Sequence, residues 1–405
     1  MEKRGYKIII YVSVIAIFIG VVGLFISIRF DNKNAGIDSV VRSVKEGSSI
    51  VFSEIPVKDS ENDLQVLRTF VPYGYSVESN VDWTLASYIY PAEISLCAYS
   101  KDKNRHLYFF STKEYIEQLD ENVDEVFGGE PLNDVNKKYM GAQDYLFEKV
   151  REMNADASNI SIIKKETFTE EEISNMKKLV DSDARNLDIL LSPDEENEDD
   201  EHGYVKIEET SVEPASIIFK FEDNGKEYKQ QMSTILTSII IIHRSERGKI
   251  HRERLWSAVA VYGYKSDAST FNENDEIYEM FIENTETDQS WLTALSRTRQ
   301  DIFFDDKNNK IDIEIAKEMA PEIVKKAYFN EKNGFKSSHD LMKSMIDMWD
   351  FFNKDMQKYS YLEDDSLTIP KKYAEAYYSE PLHYIYMGTK HMELPDNWNE
   401  MKIIS

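Results

Sequence analysis

The stretch HRSERGKIHRERLW, residues 243–256, gathers four arginines, one lysine and two histidines in a chain whose formal net charge is -26. Cationic side chains that dense can hold an anionic ligand or an acidic partner, and Arg244, Arg247, Lys249 and Arg252 are the candidates for that contact. The competing reading is the solvated tip of a β-hairpin. Gly248 sits near the middle, Glu246 and Glu253 are interspersed, and basic groups at a tip can pair with the acidic remainder of the protein. A second cluster is aromatic. Tyr377, Tyr378, Tyr384 and Tyr386 recur near the C-terminus and could form a platform on which a sugar ring stacks, or simply the core of a small module.

Other chemistry is sparse. Cys97 is the only cysteine, which excludes an internal disulfide and a cysteine-based zinc site. Within EISLCAYS it alternates with apolar residues and reads as a small buried hydrophobe. His243 and His251 are eight residues apart, as are His383 and His391, and neither pair has an evident third metal ligand. The segment DDKNNKIDIE, residues 305–314, echoes a calcium loop, but Lys310 stands where a ligand is needed and the glycine is missing. No phosphate-cradling glycine loop, nucleophile elbow or HExxH is present. No catalytic, cofactor-binding or metal-binding residue is therefore assigned, and no cofactor is expected.

The elements that would carry these residues begin with residues 8–28, IIIYVSVIAIFIGVVGLFISI, which contain no charge. At 1.5 Å per residue they match a hydrocarbon core of about 30 Å. No A-x-A cleavage pattern follows. Residues 8–28 are thus expected to be a transmembrane anchor and the chain's contact with a membrane. Lys3, Arg4 and Lys7 before it outweigh Arg29 and Lys33 after it, which favours a cytoplasmic N-terminus and an extracytoplasmic body. Residues 1–29 carry net +3, leaving -29 on the remainder. A body so acidic repels nucleic acid, so no nucleic-acid partner is expected.

Residues 30–65 read as a polar stalk and residues 66–335 as an α+β domain. Short alternating runs over residues 71–110, punctuated by Pro72-Tyr73-Gly74, Pro91 and Lys101–Asn104, predict strands. STKEYIEQL predicts a helix with Ser111 or Thr112 as its cap and Glu114 placed for a capping box. Helices are also expected over residues 141–154 and from Thr169 onward. Seven of the eight residues 194–201 are acidic, marking an acidic loop over 192–203. Residues 204–264 read as strands, with Asn224-Gly225 as a two-residue hairpin turn.

A helical stretch follows, in which Pro321 breaks or kinks a helix. Leu341, Met345, Met348, Trp349 and Phe352 form an apolar stripe further on. Residues 336–405 comprise that helix and a tyrosine-rich β meander. The fold class expected is α+β: a transmembrane helix, an antiparallel sheet flanked by helices, and a small C-terminal meander.

The segments VPYGYSVESNVDWTLASYIYPAEISLCAYSKDKNRHLYFF, SVEPASIIFKFEDNGKEYKQQMSTILTSIIIIHR and LWSAVAVYGYKSDASTFNENDEIYEMFIENTETDQSWL resemble uncharacterised extracytoplasmic proteins of Firmicutes. Their order is similar to a Mog1/PsbP-like α/β fold, and TIPKKYAEAYYSEPLHYIYMG resembles a small module accompanying such proteins. The resemblance implies an envelope location and brings no catalytic residues with it. The function expected is a single-pass cell-membrane protein that binds an envelope protein or wall polymer outside the cytoplasm. The alternatives are an enzyme on wall or peptide substrates, and a sensor or assembly factor for a membrane partner.

Overall fold

The computed structural model describes residues 49–85, 91–120, 136–191, 205–244, 250–273, 275–303, 305, 307, 309, 311–331, 356–362, 365–389, 394 and 397–404. The chain forms two compact units, Ile55–Met356 and a smaller one combining residues up to Glu54 with Gln357–Ser405.

The larger unit is built on a long-stranded antiparallel sheet. Its strands are β3 (Ser76–Asp82), β4 (Glu93–Tyr99), β5 (Arg105–Phe110), β6 (Lys113–Gln118), β7 (Ser158–Lys165), β8 (Val205–Asp223), β9 (Lys226–Arg244) and β10 (Ile250–Asp267). The order is β3-β4-β5-β10-β9-β8-β7, with β6 also paired to β10. Asn224 and Gly225 adopt φ of 51° and 75° and place Asp223 opposite Lys226. Positive φ at both turn residues matches the right-handed twist of the flanking strands, which is why Asn-Gly closes this hairpin.

β5 and β6 pair with β10 in one continuous register, Phe110 opposite Val261 and Lys113 opposite Ala258. Against β9, however, β10 carries one extra residue between Ala258 and Val261. Ala260 absorbs it with φ 101°, and Thr234 Oγ1 donates to its carbonyl at 2.7 Å. A non-glycine residue held there is strained.

Helices cover both faces. On one, α1 (Ala142–Met153) lays Tyr145, Leu146 and Val150 against Phe219, Leu236 and Trp256. Its first turn is capped from outside, because Gly141 offers no side chain. Glu213 on β8 instead accepts from the Ala142 amide at 2.9 Å and the Tyr139 hydroxyl at 3.2 Å. The other face buries Leu96, Leu107, Phe109 and Tyr262 together with the remaining helices. These are α2 (Glu170–Leu191), α3 (Glu276–Glu283), α4 (Gln289–Phe303) and α5 (Ile313–Glu331). Thr169 and Glu172 form a reciprocal capping box at the start of α2. α5 runs through Pro321 without a break, and Asn62 Nδ2 donates to the Pro321 carbonyl. β2 (Gln65–Pro72) and β11 (Glu286–Thr287) pair beside these helices.

In the smaller unit, residues 49–53 of β1 (Ser49–Lys58) pair antiparallel with β15 (Tyr384–Gly388), which pairs with β14 (Glu375–Ser379) and through it with β16 (Asn399–Glu400). A second small sheet has the order β13-β12-β17, from β13 (Ser366–Pro370), β12 (Met356–Ser360) and β17 (Lys402–Ile403).

Several expectations are corrected. The chain is mostly β and not α+β, because strands, three of them 18 or 19 residues long, far outnumber helical residues. Residues 113–118 are strand β6 and not helix. Pairing with β10 wins over the local cap signal, since it stacks Tyr115 on Trp256 with centroids 4.2 Å apart. Residues 49–58, expected within the stalk, form β1, where Phe52 is buried. Among the described residues no helix is long and apolar enough to cross a membrane. The expected anchor at residues 8–28, the acidic loop at 192–203 and the 341–352 stripe lie outside the described residues.

Candidate functional site

The basic stretch joins β9 to β10 as a hairpin, with His243 opposite His251. Arg247, Lys249 and the Arg244 side chain lie outside the described residues. Arg252 is exposed but paired: its Nη2 meets Glu208 Oε1 at 2.6 Å and its amide donates to Asp120 at 2.7 Å. Arg254 meets Glu117 at 2.8 Å and lies over the Tyr139 ring. The described part of the basic stretch thus pairs with acidic neighbours across the sheet.

The C-terminal tyrosines are largely interior. Tyr378, Tyr384 and Tyr386 are buried, and only Tyr377 is half-exposed. Tyr378 donates to Glu54 at 3.2 Å and stands edge-on to Tyr361. The rings of Tyr378, Tyr384 and Tyr386 belong to the core of the smaller unit. Among the described residues no group of three or more His, Cys, Asp or Glu could hold a metal ion. In the calcium-loop echo, Asp305 accepts from the amides of Lys307 and Asn309, and these bonds with the Asn309 side chain hold its carboxyl low.

Chemistry converges elsewhere, on the face of β4, β5 and β10 shared with α1. In β4 and β5 one set of alternate residues is buried and the other, Ser95, Cys97, Tyr99, His106, Tyr108 and Phe110, is half-exposed. This is the pleat of a sheet with one covered face. Cross-strand register sets Tyr108 between Cys97 and Gly263, and His106 between Tyr99 and Lys265. The rings form a strip. His106 and Tyr108 are stacked with centroids 5.8 Å apart and planes 10° apart, and Tyr99 lies 6.0 Å from His106. Gly263 makes room for it: a Cβ there would stand 3.2 Å from the Tyr108 ring and 2.6 Å from the Met232 sulfur. Tyr99 donates to Glu78 at 2.7 Å.

Two lysines bracket the strip, Lys103 Nζ 5.2 Å from the Tyr99 centroid and Lys149 Nζ 4.2 Å from that of Phe110. Lys265 is 9% exposed. Its ammonium donates to Asn154 Oδ1 at 2.9 Å and faces the rings of Tyr228 and Phe221. Asn154 is the C-cap of α1, so the helix dipole compensates part of this charge. Burial holds the Lys265 pKa below its ordinary value.

The Cys97–His106 pair is electrically neutral. His106 Nε2 lies 2.9 Å from the Lys103 carbonyl, which can only accept, so Nε2 carries the proton. Nδ1 then faces Cys97 Sγ at 3.9 Å as an acceptor. Burial pushes the thiol up to about 11 and the imidazole below its usual 6.5. Both shifts favour the neutral thiol and imidazole over the thiolate–imidazolium form. A thiol nucleophile needs the reverse arrangement.

This strip was not singled out from the sequence. Its signal is the alternation of Cys97-Ala98-Tyr99 and His106-Leu107-Tyr108 about the turn at Lys101–Asn104. Comparison with family models, curated proteins and solved structures finds no match.

Proposed function

We propose that this chain is a membrane-anchored, extracytoplasmic binding protein of the cell envelope, and that the Tyr99–His106–Tyr108 strip holds a wall polymer. The observation that carries this reading is the row of half-exposed rings along β4 and β5, with His106 and Tyr108 10° from parallel, Tyr99 tilted 35° to His106, and Tyr108 against Gly263. Flat rings with neutral polar edges suit a sugar ring, which presents an apolar face and hydroxyl edges at once. The neutral thiol–imidazole pair weighs against the enzyme alternative at this site. Anchorage and orientation rest on residues 8–28 and the positive charges before them.

The test is in-cell photocrosslinking of the full chain from two positions. Ser95 borders the strip, whereas Ile163 is exposed on β7 at the far edge of the same sheet. Polymer-bearing adducts from position 95 and none from 163 are expected. Equal labelling at both positions, or adducts with protein only, would refute the polymer reading.

A further inference from the structure

Resting on that reading, we infer that the polymer is anionic: sugar rings lie on His106 and Tyr108 while their phosphate or carboxylate groups meet Lys103. Among the described residues neither Lys103 nor Lys265 has an ion-pair partner, in a chain with 74 acidic residues. Lysines are seldom buried unless paired, yet Lys265 is buried against a neutral amide and two ring faces, with the Asp223 carboxylate acting on it without an ion pair. Lys103 is held by the turn at the open end of the strip, with its ammonium over Tyr99.

The two lysines flank His106, and both disfavour its protonation. Glu78 opposes them at His106, and at Cys97 its effect exceeds that of Lys265, so the lysines act on the His106 side of the strip. At the other end Lys149 lies over Phe110, sharing its charge with Glu152 at 3.3 Å. His106 and Phe110 are four residues apart on β5, roughly 13 Å at 3.3 Å per residue. A flexible polymer with regularly repeated negative charge can present one group to each end.

The acidic body and Glu78 on the rim oppose this. Long-range repulsion is screened beyond a Debye length of about 8 Å at physiological salt, whereas Lys103 acts in contact. The lysines therefore decide between polymers of similar ring structure, with stacking common to all of them. Lys103 is the contacting residue, and Lys265 acts from behind His106 through its field.

The experiment uses the full chain in detergent with three soluble probes: a poly(glycerol phosphate) oligomer, hexagalacturonate and chitohexaose. The first two carry phosphate and carboxylate, and the third is neutral. Expected is at least tenfold tighter binding of one anionic probe than of chitohexaose, and the preferred anion identifies the source of charge. Lys103→Asn should weaken that probe roughly three- to tenfold, in line with loss of one exposed charge contact. Asparagine is chosen because Lys103 has φ 56°, which asparagine tolerates. Lys265→Met, which keeps an apolar stem in place, should reduce the preference for the anionic probe over chitohexaose.

Equal binding of all three probes, or an unchanged affinity in Lys103→Asn, overturns the charge inference and leaves the polymer reading standing. Failure of all three probes, with no polymer adduct from position 95, removes both.

Discussion

Gly263→Ala tests whether the strip depends on a missing side chain. The added methyl would lie 2.6 Å from the Met232 sulfur and 3.2 Å from the Tyr108 ring. The first distance is beyond what real structures allow, so Met232 must move, and Met232 is fully buried. Overpacking of this kind costs about 1–3 kcal/mol. Gly263 has no positive φ, so alanine also restricts the unfolded chain and returns about 0.4–1 kcal/mol. The net expectation is a loss of roughly 1–2 kcal/mol.

The assay is urea unfolding of the full chain in detergent, followed by fluorescence of the buried Trp256 and by near-ultraviolet dichroism of the tyrosines. Shortening Met232 to alanine removes the clashing sulfur. Met232→Ala alone should cost about 2–5 kcal/mol through its cavity. In the double variant the new methyl occupies part of that cavity. The pair should therefore cost less than the sum of the singles, by 1 kcal/mol or more. A neutral or stabilising Gly263→Ala, or a strictly additive cycle, would refute the claim that Tyr108 and Met232 close over a bare backbone.

Cys97 should be alkylated by iodoacetamide far more slowly at pH 7–8 than a free cysteine, with a rate midpoint near the thiol value of about 11; a midpoint below 8 would contradict the neutral pair. His106 has a folded pKa below the unfolded 6.5, so the unfolded chain takes up its proton first. Stability should then fall as pH drops from about 6.5 toward the lowered value, and the difference from His106→Gln should isolate that slope in urea midpoints at pH 7.5, 6 and 5. Glu213→Ala removes the external cap of α1 and should cost about 1–2 kcal/mol, whereas Glu213→Gln keeps an acceptor and should cost less; equal losses would point to charge and not geometry.

What could be read in advance was local. Asn224-Gly225 closes its hairpin because both residues accept positive φ, and Thr169 caps α2 because its partner Glu172 is three residues away. The alternation of β4 appeared because one face is buried. What was misread depends on partners far along the chain. Ser111 and Glu114 carry a cap signal, yet Tyr115 finds Trp256 141 residues later. β1 resembled a stalk because the strand that pairs it, Tyr384–Gly388, comes more than 300 residues later. The strip falls between the two cases. Its rings are nine or fewer residues apart across one turn, but Gly263 and Lys265, which set its floor and field, arrive from β10. The tyrosines near the C-terminus attracted attention by composition, and composition does not distinguish a platform from a core.

The protonation states on the strip belong together physically. A surface that a ligand covers must give up its water, and charged groups surrender water at far greater cost than neutral ones. The floor here is neutral at physiological pH: a thiol near 11, an imidazole held below its usual value, and phenols raised by burial or, at Tyr99, by the bond to Glu78. The charges stand around it, with Lys103 and Glu78 at one end, Lys149 at the other, and Lys265 sealed behind Asn154. A catalytic thiol would demand an ion pair in the middle of that floor, and the same burial that flattens the strip prevents it. Neutral rings bordered by Lys103, Lys149 and Glu78 cost little to desolvate, and the proposed polymer contact would draw its charge preference from that border.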